Sequence, residues 1–336
     1  MVSSSVKDVA ALARVSIGTV SNVLNRPEIV SPETVERVTL AMEKLSYVRN
    51  EAARQLRVGH SSALGLITLS GSNPFFTELT TAAEDGAALA GYSVIAGNSN
   101  DKKEREAGYL NLFEELRVRG VLISPVGNVV PRLRRMRERG IPAVLVDRVS
   151  KDMSFSSVSV DDVAGGALAV SHLIETGRRR IAFVGGPAEI RQVSDRLRGA
   201  RQAAAAHPEV TIEAISTEAL TVQAGRDVGQ ELAQRSPQSR PDAIFAANDL
   251  LAIGLLQTLF IQGDVAIPEE IALVGYDDIQ FASASVVPLT SVRQPSRLIG
   301  ETAVKILLEE ADDPDLEPRQ ILYQPELVVR ASSAPH

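Results

Sequence analysis

The stretch VKDVAALARVSIGTVSNVLN, Val6 to Asn25, decides how the start of this 336-residue chain folds. Apolar residues recur at helical spacing in both halves of the stretch, and Arg14-Val15-Ser16 separates the halves. Ser16 is a typical N-cap for the second half. The pattern predicts a helix-turn-helix, and its inward-facing positions are Val9, Ala10 and Ala13 of the first helix and Val20 and Leu24 of the second.

The outward surface of the second predicted helix is small and capable of hydrogen bonds. An ordinary amphipathic surface helix would favour Glu, Lys and Arg on that face. A helix that enters the major groove of DNA needs small side chains that pair with base edges and phosphates. We therefore predict a DNA-recognition helix, with Ser16, Ile17, Gly18, Thr19, Ser21 and Asn22 at the DNA.

Charge is distributed unevenly along the chain. Residues 1–61 hold eight Lys or Arg and six Asp or Glu, so this segment carries +2 while the whole chain carries -7. A third helix is predicted to follow Ser31, with Pro32 in its first turn. The head of the protein can therefore approach an anion that the remainder would repel.

Composition excludes several classes of protein. There are no cysteines and four histidines, so disulfides are excluded and a metal centre or other cofactor is not expected. No run approaches the roughly 18 apolar residues of a membrane span. The opening MVSSSVKDV lacks the apolar stretch of a secretory signal, and we expect a cytoplasmic protein that does not contact a membrane.

From Ala63 onward, short apolar β runs alternate with helical segments. Buried parallel strands with crossover helices are the economical arrangement for this α/β pattern. The pattern occurs over residues 63–160 and again over 180–290, which predicts two similar lobes with a ligand cleft between them. The predicted strands are ALGLITLS, YSVIAGNSN, RGVLISPV, PAVLVDR, RIAFVGGP, AIFAAND and IALVGYDD.

Several short motifs in this order resemble the lactose-repressor (LacI/GalR) family of bacterial transcription regulators. The resemblance implies an N-terminal all-α helix-turn-helix headpiece over residues 1–48, a hinge helix or linker over 49–61, and an α/β two-lobed effector domain, similar to periplasmic binding proteins, over 62–336. It places the first lobe at about 62–160 and 292–320 and the second at about 161–291 and 321–331. The motifs are the helix-turn-helix, ARQL (53–56), NPFF (73–76), DR (147–148), SDRLRG (194–199), AANDLLAIG (246–254), VGYDD (274–278) and TSVRQP (290–295).

The resemblance assigns base reading to Ile17, Gly18 and Asn22, of which Asn22 offers a paired contact to adenine. It also implies that two hinge helices, one per subunit, insert a leucine into the minor groove. Leu56 is the residue matched to the inserted leucine, and Ala53 and Arg57 of the hinge are assigned to DNA contact with it. Arg14 departs from the family, which usually carries Gly or Asn at this left-handed position.

The body is similar to sugar-binding proteins, and the resemblance implies a small effector between the lobes. A carbohydrate is the first expectation, and a nucleoside, a small polyol or a protein partner stays open. Leu220 and Ser296 stand where relatives often carry an aromatic ring. The effector residues carried over from the family are Phe75, Phe76, Asp147, Arg148, Ser194, Arg198, Asn248, Asp277 and Gln294.

These expectations describe a ligand-responsive repressor of carbohydrate genes that binds a palindromic DNA operator as a homodimer. Inducer and corepressor roles of the ligand are both open. An enzyme is disfavoured because no GxxxxGK[ST] loop, GxSxG elbow or strand-linked GxGxxG occurs. A solute-binding protein would share the body but would have no use for residues 1–60.

Overall fold

A computed structural model describes residues 4–47, 59–150, 153–263 and 265–334. The chain divides into two compact units, Met1–Ser61 and Ser62–His336. The second unit begins at the residue that the sequence predicts. We call the first unit the head and the second the body, and we describe each by itself.

The described part of the head contains three α-helices around a small apolar core. Val9, Ala13, Val20 and Val38 are the residues most completely removed from water in this core. A capping box at Ser5 and Asp8 begins the first helix, and Pro32 stands in the first turn of the third. The elements are α1 Val6–Ala13, α2 Ile17–Asn25, a 3₁₀ turn at Pro27–Ile29 and α3 Pro32–Lys44.

The turn between α1 and α2 has the predicted geometry. Arg14 is left-handed, with φ 53° and ψ 47°. Val15 donates its backbone N–H to the carbonyl of Ala10 at 3.0 Å, which closes the first helix. Val20 of α2 faces inward as predicted, but Val23 is the second buried residue, and Leu24 packs against the core only in part. Val23, one residue before Leu24, lies nearer the centre of the apolar face of α2.

The first lobe of the body is a six-stranded parallel sheet in the order β11-β5-β4-β3-β1-β2. The two faces of the sheet form separate apolar clusters, one with Leu64 and Leu66 and the other with Ile67 and Phe113. The elements are β1 Ala63–Thr68, α4 Pro74–Leu89, β2 Ser93–Asn98, α5 Lys103–Glu115, β3 Val121–Ile123, α6 Val130–Glu138, β4 Ala143–Val146, β5 Ser157–Val160, α12 Ser296–Asp312 and β11 Gln320–Tyr323.

The second lobe repeats this plan with the sheet order β12-β10-β9-β8-β6-β7, in which β12 runs antiparallel to β10. The helix that begins at Asp249 changes to π-helical geometry over Gln257–Gln262. The other elements are α7 Asp162–Glu175, β6 Arg180–Val184, α8 Arg191–Ala205, β7 Thr211–Ile215, α9 Val222–Gln234, β8 Ala243–Ala246, α10 Asp249–Leu256, β9 Ala272–Asp277, α11 Gln280–Ser283, β10 Thr290–Arg293 and β12 Glu326–Val328.

The chain passes between the lobes after β5, after β10 and after β11. The first crossing falls at residue 160, as predicted. The later two are displaced, because Thr290–Arg293 belongs entirely to the second sheet and Gln320–Tyr323 entirely to the first. The predicted boundaries at 292 and 320 therefore divided two short strands whose sheet partners are distant in sequence.

Helices α7 and α8 of the second lobe pack backbone against backbone. A β-carbon added to Gly166 would collide with the carbonyl oxygen of Arg196, and one added to Gly199 would collide with the carbonyl oxygen of Val163. Glycine is required at both positions because the obstacle is a backbone oxygen in the facing helix. This close approach fixes where the amino-terminal end of α8 lies relative to α7.

Candidate functional site

The head presents the outward surface of α2 as its candidate DNA interface. Ile17 is 47% exposed, and Gly18 and Asn22 are also exposed. Within the described part of the chain, the side chain of Asn22 makes no hydrogen bond. Its amide therefore stays available for a base edge, as the sequence predicts.

The polar neighbours of Asn22 are partly engaged within the head. Ser16 caps α2, because its Oγ accepts the Thr19 backbone N–H at 3.0 Å and lies 2.9 Å from Thr19 Oγ1. Asn25 donates to the carbonyl of Ser21 at 2.7 Å. Ser16, Thr19 and Ser21 are thus fixed in position, which suits contacts to phosphates that set register. The predicted hinge residues Ala53, Leu56 and Arg57 lie outside the described residues.

In the body, the main candidate site is a cavity of about 410 Å³ between the two lobes. The first lobe contributes the amino-terminal end of α4 and the end of β4, and the second contributes α8 and the ends of β8 and β9. The aromatic rings of Phe75 and Phe76 meet edge to face with centroids 5.0 Å apart. The predicted effector residues that line this cavity are Phe75, Phe76, Asp147, Asn248, Asp277 and Gln294.

Asp147 follows β4 at the carboxyl edge of the first sheet and has a left-handed backbone, with φ 56°. Gln192 reaches it from α8 of the other lobe. Its Nε2 donates to the Asp147 carbonyl at 2.7 Å and to Asp147 Oδ2 at 2.8 Å. Burial, followed by the nearby negative charge of Asp162, raises the pKa of Asp147 well above its usual value.

Asp277 occupies the corresponding place in the second lobe, at the end of β9, and also has a positive φ of 106°. Asn73, the N-cap residue of α4 in the first lobe, donates to Asp277 Oδ2 at 2.8 Å. Gln294, beyond β10, donates to Asp277 Oδ1 at 2.7 Å. Burial raises the pKa of Asp277, and the guanidinium of Arg196 acts in the opposite direction.

The two lobes are thus joined by reciprocal amide–carboxylate hydrogen bonds. Each lobe offers an Asp at the carboxyl end of a strand, and each receives an amide from the first turn, or the cap, of a helix in the other lobe. A strained backbone at non-glycine residues is costly and is commonly found at ligand sites. The pairing places Asp147 and Asp277 at the lobe interface and fixes the cavity between them.

Arg196 is the buried cation of the site, with 4% of its surface exposed. Its Nε donates to Asp162 Oδ1 at 2.7 Å, and one terminal nitrogen donates to the Ala247 carbonyl at 2.7 Å. The guanidinium carbon lies 3.6 Å from the centroid of the Tyr276 ring. Burial works against the charge, but the surrounding carboxylates, Asp162 foremost, raise the pKa of Arg196.

Three predicted effector residues do not line the interlobe cavity. Arg148 donates one terminal nitrogen to the carbonyls of Pro125 and Gly127 at 3.0 Å each, which holds it within the first lobe. Ser194 donates to the carbonyl of Arg191 at 2.8 Å. The side chain of Arg198 is 53% exposed and pairs with Asp195 at 3.0 Å.

The residues of α8 that line the cavity differ from the predicted ones because they lie on a different side of the helix. Gln192 and Arg196 are four residues apart and share the inward face, whereas Ser194 and Arg198 lie on another face of the same helix. Both pairs have the same spacing, so the chemistry alone did not choose between them. The packing of Gly199 against α7 distinguishes the two pairs, because it fixes which side of α8 faces inward.

Leu220 and Ser296, which stand where relatives often carry an aromatic ring, lie in different surroundings. Leu220 lines the second-lobe side of the cavity and supplies apolar surface without an aromatic ring. Ser296 is buried and donates its hydroxyl to Glu78 Oε2 at 2.6 Å, so it is part of the packing of α12 on α4.

Among the described residues, no group of three or more His, Asp or Glu is placed to hold a metal ion. None of the described helices is long and apolar enough to cross a bilayer.

A helix-turn-helix head joined in one chain to a two-lobed body with an interlobe cavity defines a class of protein, the ligand-responsive DNA-binding regulators. Comparison with known proteins agrees. Residues 5–50 match the profile of "Bacterial regulatory proteins, lacI family", and residues 170–333 match "Periplasmic binding protein-like domain". The chain belongs to the LacI family of bacterial transcription regulators.

Relatives of similar length carry both parts. The HTH-type transcriptional repressor PurR of Aliivibrio fischeri (strain ATCC 700601 / ES114) is 33% identical over 98% of each chain. The ribose operon repressor of Escherichia coli (strain K12) is 32% identical over 98% of this chain and all of its own. A lac repressor dimer bound to operator and the anti-inducer ONPF superposes with a TM-score of 0.83, at 28% identity over 99% of each chain.

Proposed function

We propose that this chain represses genes for the uptake or breakdown of a carbohydrate, binding a palindromic operator as a dimer and responding to a small polyhydroxylated effector. One observation carries the effector half of the proposal. Polar side chains from both lobes, foremost Asp147 and Asp277, converge on one cavity that also holds the rings of Phe75 and Phe76. Carboxylates and amides beside an apolar ring are suited to the hydroxyls and the carbon face of a sugar.

The DNA half of the proposal is carried by α2. Asn22 and Ile17 are exposed on a short helix whose other face is buried in the head. An Asn amide can hold adenine with two hydrogen bonds, and an isoleucine can cover a thymine methyl. Two heads related by a two-fold axis would read a palindrome, because one head alone contacts few phosphates.

The two halves are coupled if the effector binds one arrangement of the lobes better than another. A ligand shifts such an equilibrium only by its difference in affinity for the two arrangements, and operator DNA must shift it reciprocally. The hydrogen bonds of Asp147 and Asp277 each join one lobe to the other, so a change in the arrangement of the lobes would alter them.

The test begins with the full-length chain and a pool of random duplex DNA. Sequences retained through repeated selection should converge on a palindrome. Fluorescence anisotropy on that duplex, with a panel of pentoses, hexoses, disaccharides and nucleosides, should then show one carbohydrate that changes operator affinity at least about tenfold. Selection without convergence would overturn the DNA half, and a response to nucleosides alone would overturn the carbohydrate half.

A further inference from the structure

Four of the amide side chains that line the interlobe cavity donate hydrogen bonds to other groups of the protein. Gln192 uses its amide nitrogen twice on Asp147. The amide nitrogens of Asn73 and Gln294 both donate to Asp277. Asn248 donates to the carbonyl of Leu220 at 3.2 Å. Four of the lining amides therefore each direct at least one N–H group at a protein acceptor.

Acceptors, by contrast, are in surplus. Asp147 Oδ1 and Gln294 Oε1 are buried and have no hydrogen-bond partner within the described part of the chain. Both residues line the cavity. An acceptor buried without a donor is unfavourable, so a ligand that brings hydroxyl donors relieves a cost that an acceptor-only ligand leaves in place.

The charges at the cavity have the same bias. Four lining carboxyl groups, on Asp101, Asp147, Glu218 and Asp277, outnumber the two lining cations, on Lys102 and Arg196, although burial raises the pKa of Asp147 and Asp277. The charge of Arg196 is already paired with the buried Asp162, and its Nη1 donates to a backbone carbonyl. The remaining cation, Lys102, is exposed at the rim beside Asp101. In the described residues, no buried lining cation is left over for an anionic ligand.

We infer that the effector is an uncharged, hydroxyl-rich molecule and that this cavity excludes its phosphorylated and carboxylated forms. The inference rests on the proposed effector role of the cavity and specifies the chemical class of the ligand. Phosphate and carboxylate groups bring acceptors and negative charge to a site that already has an excess of both. Burying such an anion without a cation is strongly unfavourable.

The experiment uses matched pairs on the full-length protein, with thermal shift as a screen and calorimetry for affinity. The pairs are ribose and ribose 5-phosphate, glucose and glucose 6-phosphate, glucose and glucuronate, and adenosine and its 5′-monophosphate. The uncharged member of the active pair should bind, and its anionic partner should bind at least about tenfold more weakly. An anion that binds as tightly as its uncharged parent would overturn the inference.

A second arm needs no knowledge of the effector. Inorganic phosphate should give no more stabilisation than chloride at equal ionic strength, with or without Glu218→Gln. A stabilisation specific to phosphate that Gln192→Ala or Asp277→Ala abolishes would place an anion in the cavity and contradict the inference. Stabilisation that survives both variants would place the phosphate elsewhere and agree with it.

The rim carboxylate provides a graded check. Glu218→Gln should narrow the discrimination between the uncharged and anionic members of the active pair by about twofold, the size expected for one screened charge. Glu138→Gln, an equally exposed carboxylate on α6 outside the cavity lining, should leave it unchanged. If both variants change the ratio of affinities equally, the discrimination arises from the net charge of the protein and not from the cavity, which contradicts the inference.

These outcomes separate the inference from the proposed function. If no carbohydrate or nucleoside alters operator affinity, the effector role fails, while the phosphate arm still decides whether the cavity accepts anions. If a sugar phosphate releases or tightens the operator, the effector role stands and the inference fails.

Discussion

The head and the body of this protein present their binding groups in opposite ways. On α2 of the head, Asn22 is exposed and its amide has no partner among the described residues. In the interlobe cavity, Asp147 and Asp277 are buried and already accept hydrogen bonds from amides of the opposite lobe. The base-reading amide of the head is therefore free before DNA binds, whereas the two carboxyl groups of the body are already paired between its lobes.

This difference has a consequence for stability. Groups that are free in the head contribute little to folding, so substituting them should change DNA binding alone. Groups that are paired in the body hold the lobes together, so substituting them should change stability and ligand binding at once. Variants of single residues test this contrast between the two units.

The largest effect is expected at Asp277. Asp277→Ala leaves the amides of Asn73 and Gln294 without their acceptor and removes a carboxylate lying 3.9 Å from Arg196. We expect the free energy of unfolding of the body to fall by about 3 kcal/mol. Urea denaturation of the full-length chain measures it. Glu218→Ala, an exposed carboxylate at the cavity rim, is the control and should cost less than about 0.5 kcal/mol.

Asn22→Ala should do the reverse. The urea midpoint should be unchanged, and the preference for operator over random duplex should fall by about 1–3 kcal/mol, the value of one paired base contact. Anisotropy with both duplexes at one salt concentration measures the preference. Asn25→Ala is the matched control, because Asn25 already donates to Ser21 within α2. A loss of preference as large in the control would remove Asn22 from base reading.

The two units should also respond to pH with opposite sign. Burial raises the pKa of Asp249, a residue with no exposed surface, well above its usual value. A carboxyl with a raised pKa stabilises the fold while it is protonated, and this contribution is lost as the pH rises through the folded pKa. In the head, hydrogen bonds from Ser5 lower the pKa of Asp8, and that contribution is instead lost as the pH falls.

Two amide variants isolate these groups. Asp249→Asn preserves an acceptor for the Ile279 backbone N–H, so the stability of the body should gain relative to the parent as the pH is raised from 5 to 8. Asp8→Asn should reduce the loss of head structure between pH 5 and 3. Circular dichroism melts of the full-length parent and variants between pH 3 and 8 measure both effects. Parallel pH profiles of parent and Asp249→Asn would show that the buried carboxyl is not perturbed.

The smallest effect is expected at Arg14. Its φ of 53° is one that glycine adopts without steric cost. Arg14→Gly should therefore stabilise the head by about 0.5–1 kcal/mol. Arg14→Ala keeps the β-carbon and should give no gain, which makes it the control in the same urea titration. A gain in Arg14→Ala equal to that in Arg14→Gly would assign the effect to the lost charge and not to the backbone.

The sequence predicts the head better than the cavity, and the reason is physical. Each helix of the head is specified by local signals, namely periodic apolar residues, the N-cap Ser16 and Pro32 in a first turn. In the body, the seven strands named from apolar runs all form. The strands β5, β7, β10, β11 and β12 were not predicted, because each contains polar residues and lacks a long apolar run.

The cavity depends on contacts between residues far apart in the chain. Asn73 and Asp277 are separated by 204 positions, so no local pattern shows their pairing. The first-lobe aromatic residues were predicted because they follow a recognisable motif at the start of α4. Gln192 and Arg196 were missed because an equally spaced pair, Ser194 and Arg198, stands two residues later on the same helix, and only packing against α7 distinguishes the two.

One measurement tests most directly whether ligand binding in the body controls the affinity of the head for DNA. It is the affinity of the full-length protein for its selected palindrome, measured with and without the carbohydrate that stabilises it, in the parent and in Asp277→Asn. We expect a change of at least about tenfold in the parent and little change in the variant, with basal operator binding retained. Equal operator affinity in the parent with and without a ligand shown to occupy the cavity would contradict it.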